Sequence, residues 1–219
     1  MAYTKDDFDI NYWRYFLSLE EEFINIETVI PIDDINNKTF SVNYMKIYFS
    51  ICSEIDVLLK SFIEYNNWYK FTQKNGDFGK YKNIINQNIP TFSNEIIVFS
   101  EKKEIKPFDN WKLNKKPIWW ESYNDIKHNR TLMKNGLENY KMANQENILN
   151  AFCALYQIEM YFYRSIIDKN NFKGKLRMPV PQSRKLRIKN WPDNSELIDN
   201  RYILYIDDNG NLFLEGVLN

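Results

Sequence analysis

The stretch WWESYNDIKHNR, Trp119 to Arg130, gathers side chains able to move a proton or hold a phosphate, and it contains His128, the one histidine of the chain. An imidazole with its ordinary pKa of about 6.5 can take a proton from a hydroxyl or return one to a leaving oxygen. Positioned acid–base catalysis of this kind is worth about 10²–10⁴ in rate. Asn124 can orient such a histidine or a phosphate, while Lys127 and Arg130 can balance the charge that develops on phosphate. On a helix advancing about 100° per residue, Trp119, Tyr123, Ile126 and Arg130 share one stripe; Trp120, Asn124 and Lys127 share the next, with His128 beside them. The mostly apolar stripe is expected to face a core, leaving Asn124, Lys127 and His128 at its polar edge. Arg130 lies just beyond, where a helix C-terminus favours positive charge. The same residue types also admit a structural role, in which His128 and Arg130 cap the helix and pair with acids such as Glu54 or Asp56.

The elements that must carry this stretch are helical. From Ile10 to Ile30 the apolar residues Tyr12, Trp13, Phe16, Leu19, Phe23 and Ile26 recur at spacings of three and four, which predicts an amphipathic helix ended by Pro31. Ser41 is the expected N-cap of a second long helix, antiparallel to the first, with a stripe through Tyr44, Ile47, Ile51, Ile55, Leu58 and Phe62. Pro117 suits the first position of a third helix, running to about Arg130. The fourth is expected after Asn144 as its cap, with a stripe through Ile148, Phe152, Leu155, Ile158 and Phe162. Residues 68–110 read as an insertion containing a short helix in FGKYKNIINQN and a strand in EIIVFS.

After Gly174 the pattern changes. RYILYIDDNGNLFLEG is a hairpin signal with Asn209-Gly210 as its type I′ turn. Because a bare hairpin is marginal in water, it is expected to pair with EIIVF, and with KLRIK as a further strand. The reading is therefore a mainly α fold, an antiparallel four-helix bundle over residues 1–170, with a C-terminal β-hairpin extension over residues 171–219 packed on it.

Composition excludes several classes. A chain of 219 residues that is 44% hydrophobic and 16% aromatic, with six glycines, is a folded protein rather than a disordered one. Zero net charge leaves any attraction to nucleic acid to local asymmetry. That asymmetry is present: Asp6, Asp7, Asp9 and Glu20 to Glu22 are acidic, whereas Lys169, Lys173, Lys175, Arg177, Arg184, Lys185, Arg187 and Lys189 form a run without an acid. The plain alternative for each of these charges is a solvated loop or strand face. Cys52 and Cys153 lie within apolar helical patterns, and two cysteines with one histidine argue against a structural zinc site. No metal or cofactor is expected. The N-terminus has no secretory pattern and no apolar run is long enough to span a bilayer, so a cytoplasmic protein without membrane attachment is expected.

A helical bundle with Asn-x-x-x-His on a late helix resembles the HEPN superfamily, in particular uncharacterised bacterial HEPN-like proteins with a YNxxKHxR motif. The family's ribonuclease motif runs from arginine through a polar residue to histidine. Here Asn124 and His128 match the last two, and Tyr123 stands at the arginine position. The resemblance covers residues 10–66 and 117–168. It implies metal-independent RNA cleavage at a site shared across a homodimer, in phage defence, toxin–antitoxin or RNA-processing systems. On that reading His128, Asn124 and Arg130 are the catalytic candidates; Lys127, Arg184, Lys185 and Arg187 bind RNA phosphate. The other reading is a catalytically silent helical interaction protein, a subunit or regulator of a defence complex, whose surface docks a protein partner.

Overall fold

The computed structural model describes residues 4–72, 77–134, 136–169, 178–191, 202–206 and 212–216. Among these residues the fold is mainly helical, with five helices, a three-stranded antiparallel sheet and short hairpins. Helix α1 is continuous through Lys5–Phe8, a π-helical turn at Asp9–Trp13, and Arg14–Glu27. It starts earlier than apolar periodicity suggests because Thr4 and Asp7 form a reciprocal capping box. Helix α2 is Val42–Tyr65, with the Ser41 hydroxyl accepting from Tyr44 N at 3.0 Å. Helices α3 and α4 are Phe78–Asn88 and Ile118–His128. Helix α5 is Gln145–Lys169, opened by Asn144, whose Oδ1 accepts from Asn147 N at 3.1 Å. The caps expected at Ser41 and Asn144 are those observed.

Cross-helix contacts fix the directions. Near the N-terminal ends of α2 and α5, Gln145 Nε2 donates to the Tyr44 hydroxyl at 3.1 Å; at their C-terminal ends, Lys169 Nζ donates to the Tyr65 carbonyl at 2.6 Å. These two long helices therefore run parallel. Phe8 meets Phe162 and Tyr163, whereas Phe23 stacks on Phe152, so α1 runs opposite to both. Phe16, Ile51, Ile55, Leu58, Trp119, Phe152 and Leu155, the core expected from the stripes, are all buried.

Four helices do not close this core. Phe78, Tyr81 and Ile85 of α3 are buried in it, as are Phe92, Phe99 and Phe108, so residues 78–108 supply one of its walls rather than an insertion. Strands β1 (Ile97–Phe99) and β2 (Lys103–Ile105) are joined by a third, Leu186–Ile188, in the order β2, β1, third strand, all antiparallel. Val98 sits opposite Glu104 on one side and Arg187 on the other. The two-residue strands β3 (Met133–Lys134) and β4 (Leu137–Glu138) make a small hairpin beyond α4. The strand Leu186–Ile188 is β5, and it lies in KLRIK, so that segment itself pairs with EIIVF.

The C-terminal hairpin does not. Strands β6 (Tyr202–Ile206) and β7 (Leu212–Gly216) form a separate two-stranded sheet, because both edges of β1 are already taken by β2 and β5. Asn209-Gly210 lies outside the described residues. Met178, Leu186 and Ile188 are buried in the main core, so the segment before the hairpin belongs to it. Among the described residues no helix is long and apolar enough to cross a membrane.

The basic C-terminal segment and the acidic N-terminal helix meet. Glu20, 1% exposed, accepts the Ser183 hydroxyl and the backbone N–H groups of Arg184, at 3.1 Å, and Lys185, at 3.2 Å. A carboxylate so supplied with donors is stable in a buried position. Glu159 of α5 is the opposite case. It is fully buried, and neither carboxyl oxygen meets a donor among the described residues. Burial first, and the charge of Glu54 second, hold its carboxyl well above the ordinary 4.5.

With its pKa raised on folding, Glu159 holds its proton to higher pH in the folded state than in the unfolded chain. This side chain's contribution is most favourable below that pKa and declines as pH rises toward the folded value. Glu159→Met, which keeps the volume and removes the ionisation, is expected to melt above wild type at pH 7.5. The gap should narrow toward pH 4.5 in a series of thermal melts, and a gap independent of pH would contradict the protonated state.

Candidate functional site

Helix α4 is held on its core side by large rings. Trp119, Trp120, Tyr123 and Ile126 are buried, Trp119 Nε1 donates to the Pro107 carbonyl at 2.8 Å, and the Tyr48 hydroxyl donates to the Trp119 carbonyl. The Tyr123 ring lies edge-on to Phe49 at 5.4 Å between centroids. Tyrosine at this position is a packing residue, and it points into the bundle.

The C-terminal end of α4 is fixed by a residue that periodicity did not single out. Asn139, 2% exposed, donates from Nδ2 to the carbonyls of Asp125, at 3.2 Å, and Asn129, at 2.7 Å. Asn129 Oδ1 in turn accepts from Leu132 N at 3.1 Å. The Asp125 carbonyl also accepts from Asn129 N at 3.0 Å, so the Asn139 amide adds a second bond there and supplies the Asn129 carbonyl just past the helix end. The local signal was the Asn135-Gly136 pair between MK and LE, which marks a tight turn and hence a chain doubling back toward the helix end. Gly136 has the positive φ of 79° that such turns require.

The four polar candidates of the helix divide into two pairs. Asn124 and His128 line a cleft of about 450 Å³ together with Asp56, Asp77, Trp120 and Asp125. Lys127 and Arg130 turn the other way: the Lys127 ammonium is 5.6 Å from the Tyr123 ring centre, and the Arg130 guanidinium carbon is 5.5 Å from that of Phe49. Asn124 uses its amide within the helix, donating to the Trp120 carbonyl at 2.8 Å. His128 is exposed, and among the described residues its ring makes no hydrogen bond or ion pair.

The acids considered as its partners are engaged elsewhere. Asp56 pairs with Lys60 and accepts from the Tyr81 hydroxyl at 2.8 Å, while Glu54 lies near Glu159 with its own carboxyl raised by burial. Among the described residues neither the capping bond nor the acid pairing considered for His128 and Arg130 is made.

Charge in the cleft is predominantly negative. Its lining holds four carboxylates, Asp56, Asp77, Glu121 and Asp125, against two lysines, Lys116 and Lys134. Asp125 pairs with Lys134, whose pKa it raises through a hydrogen bond and its charge, and Lys60 offsets Asp56; Asp77 caps α3 through Lys80 N at 3.1 Å.

The cations of the C-terminal segment are likewise matched. Arg184 pairs with Glu21, Lys185 with Glu27 at 2.9 Å, Arg187 with Glu101 in a bidentate contact at 2.7–3.0 Å, and Lys189 with Glu104 at 2.6 Å. Lys173, Lys175 and Arg177 lie outside the described residues.

Among the described residues no group of three or more His, Cys, Asp or Glu side chains is arranged to hold a metal, and Cys52 and Cys153 are buried and unpaired. No protein-family model, curated protein or solved structure matches the chain.

These environments separate a site residue from a structural one by a simple measurement. His128→Ala, at an exposed end, is expected to leave the melting temperature within about 2 °C of wild type. Asn139→Ala removes two hydrogen bonds made by a buried amide, to the carbonyls of Asp125 and Asn129, and should cost about 1–3 kcal/mol. Equal destabilisation by the two variants would contradict the assignment.

Proposed function

We propose that this chain is a catalytically silent helical protein of HEPN-like type that acts by binding another protein, as a subunit or regulator of a complex. The observation that carries the reading is the surroundings of His128: a ring without an orienting partner, in a cleft where carboxylates outnumber lysines, with Lys127 and Arg130 turned toward Phe49 and Tyr123. Phosphoryl chemistry wants the reverse, a held imidazole and a cation facing the phosphate. A buried tyrosine at the family's arginine position removes the bidentate fork that would supply that cation. The matched ion pairs of Arg184, Lys185 and Arg187 also weaken the case for a phosphate-binding track. A role in phage defence or a toxin–antitoxin system, and a cytoplasmic location, belong to this proposal through the family resemblance.

One observation favours the second reading, a metal-independent ribonuclease. His128 is open to solvent with Asn124 one turn before it in the same cleft, so a second copy could bring a cation to it in a homodimer. The two readings part in one assay. Purified chain is incubated with labelled single-stranded and structured RNA, with and without EDTA, beside His128→Ala and Asn124→Ala. The silent reading expects no cleavage above the His128→Ala background and no salt-sensitive retention of RNA. EDTA-resistant cleavage by wild type, lost in His128→Ala at unchanged melting temperature, would replace it with the nuclease.

A further inference from the structure

Among the described residues the outward side of α4 carries exposed apolar surface. Ile118 is 61% exposed, Leu137 of β4 49% and Phe40 42%, and with Met142 they line a groove of about 560 Å³. Leu132 and Met133 add further exposed apolar surface on the same small hairpin. Isolated exposed leucines are ordinary, but several around one concavity on a rigid helix are the mark of a binding surface. The groove's lysines are neutralised in place: Lys38 by Glu146, Lys134 by Asp125, and Lys141 by Glu138 at 3.5 Å. Its apolar floor is thus bordered by charge that needs no outside partner.

The groove does not end there. It shares Glu121, Asp125 and Lys134 with the cleft at His128, so the two depressions adjoin along α4. From Ile118 to His128 the helix rises about 15 Å, room for a segment of about ten helical residues. One end of this path is apolar; the other is the carboxylate-rich cleft, whose wall includes the rings of Phe78 and Trp120, stacked 4.2 Å apart. Carboxylates beside aromatic rings suit a guanidinium or ammonium group.

We propose that this path docks an amphipathic segment of a partner protein, with apolar side chains in the groove of Ile118 and Leu137, followed by arginine or lysine in the cleft of Glu121 and Asp77. The proposal deepens the interaction-protein reading and rests on it for its purpose, although the surface can be tested separately. Apolar anchors in the groove supply affinity, and the cation fixes the direction in which the segment lies. Glu121 has the determining position, because it borders both depressions and has no ion-pair partner among the described residues.

The test uses phage-displayed random peptides of about 12 residues, long enough to span the path. They are panned on the immobilised full chain, and recovered sequences are measured as fluorescein-labelled synthetic peptides by anisotropy. Enriched peptides are expected to carry apolar residues at a spacing of three and four with Arg or Lys at one end. Ile118→Asp with Leu137→Asp, both at exposed positions, should weaken them at least about tenfold at unchanged melting temperature. Glu121→Lys should weaken them about threefold or more and relax the preference for the basic end.

Absence of enrichment, a preference for acidic peptides, or binders indifferent to Ile118 and Leu137 would overturn the proposal. So would a concentration-dependent dimer, seen by light scattering, that Ile118→Asp disperses, since the groove would then belong to a second copy. RNA cleavage by the wild type would end the silent reading without affecting these peptide results. Loss of the peptide results would in turn leave the RNA outcome as it stands.

Discussion

From Ala151 to Tyr163 helix α5 is buried around its whole circumference, and the rest of the molecule is arranged to meet that demand. Such a helix must be enclosed on every side, and each polar group on it must find a partner away from water. Gln145 donates to the Pro31 carbonyl at 2.9 Å and accepts from Asp33 N at 3.1 Å; Gln157 donates to the Phe92 carbonyl at 2.7 Å. Asn147 donates to the Met142 carbonyl at 2.9 Å. Three amide side chains thereby fasten three separate loops onto one helix. The loop at Met142 follows the turn that carries Asn139, so the end of α4 is placed, at one remove, by the same helix. Among the described residues the Tyr156 hydroxyl, Gln157 Oε1 and the Glu159 carboxyl are left in this enclosure without a partner, and burial holds the Glu159 carboxyl well above its ordinary pKa.

Periodicity read the local part of this well, because spacing of three and four and cap residues are properties of a short segment. The stripes of α1, α2 and α5 and the caps at Ser41 and Asn144 were legible for that reason. Enclosure is not a local property. A stripe through Ile148, Phe152, Leu155, Ile158 and Phe162 describes one face, whereas Tyr156, Gln157 and Met160 are buried on the others. Helix α3 and the sheet provide that second cover, and in the sequence they looked like an insertion between helices. The terminal hairpin shows the same limit: its strands were recognisable, but competition for the edges of β1 is settled by KLRIK, which has the buried pair Leu186 and Ile188 to offer. The acidic start and basic end of the chain were visible as separate runs, and their mutual pairing through Glu20, Glu21 and Glu27 was the simplest use of both.

At the candidate site, helical geometry contained more than residue types suggested. Measured around the helix from Asn124, His128 lies about 40° away and Lys127 about 60° to the other side. The separation of the cleft pair from Lys127 follows from those angles, whereas Arg130 lies beyond the helix end at His128 and reaches Phe49 from there. Ile118 was legible too, as an apolar residue off the buried stripe. What the sequence withheld was its setting, since Phe40, Leu137 and Met142 reach it from three other segments.

The two sides of α4 therefore differ in kind. Toward the core, rings and the bonds from Tyr48, Trp119 and Asn139 hold the helix without freedom to reposition its C-terminal end. A catalytic histidine placed on so fixed a support would gain from a second group holding its ring nitrogen, because orientation and tautomer are set by that bond. Among the described residues His128 has the rigid support without the second group, and the carboxylates around it repel the anion such chemistry would act upon. The exposed apolar path beside it suffers neither deficiency: rigidity lowers the cost of ordering an interface, and local negative charge selects the sign of what arrives. On the proposed reading, the same fixed helix that leaves acid–base chemistry unsupported offers its exposed apolar side to a partner.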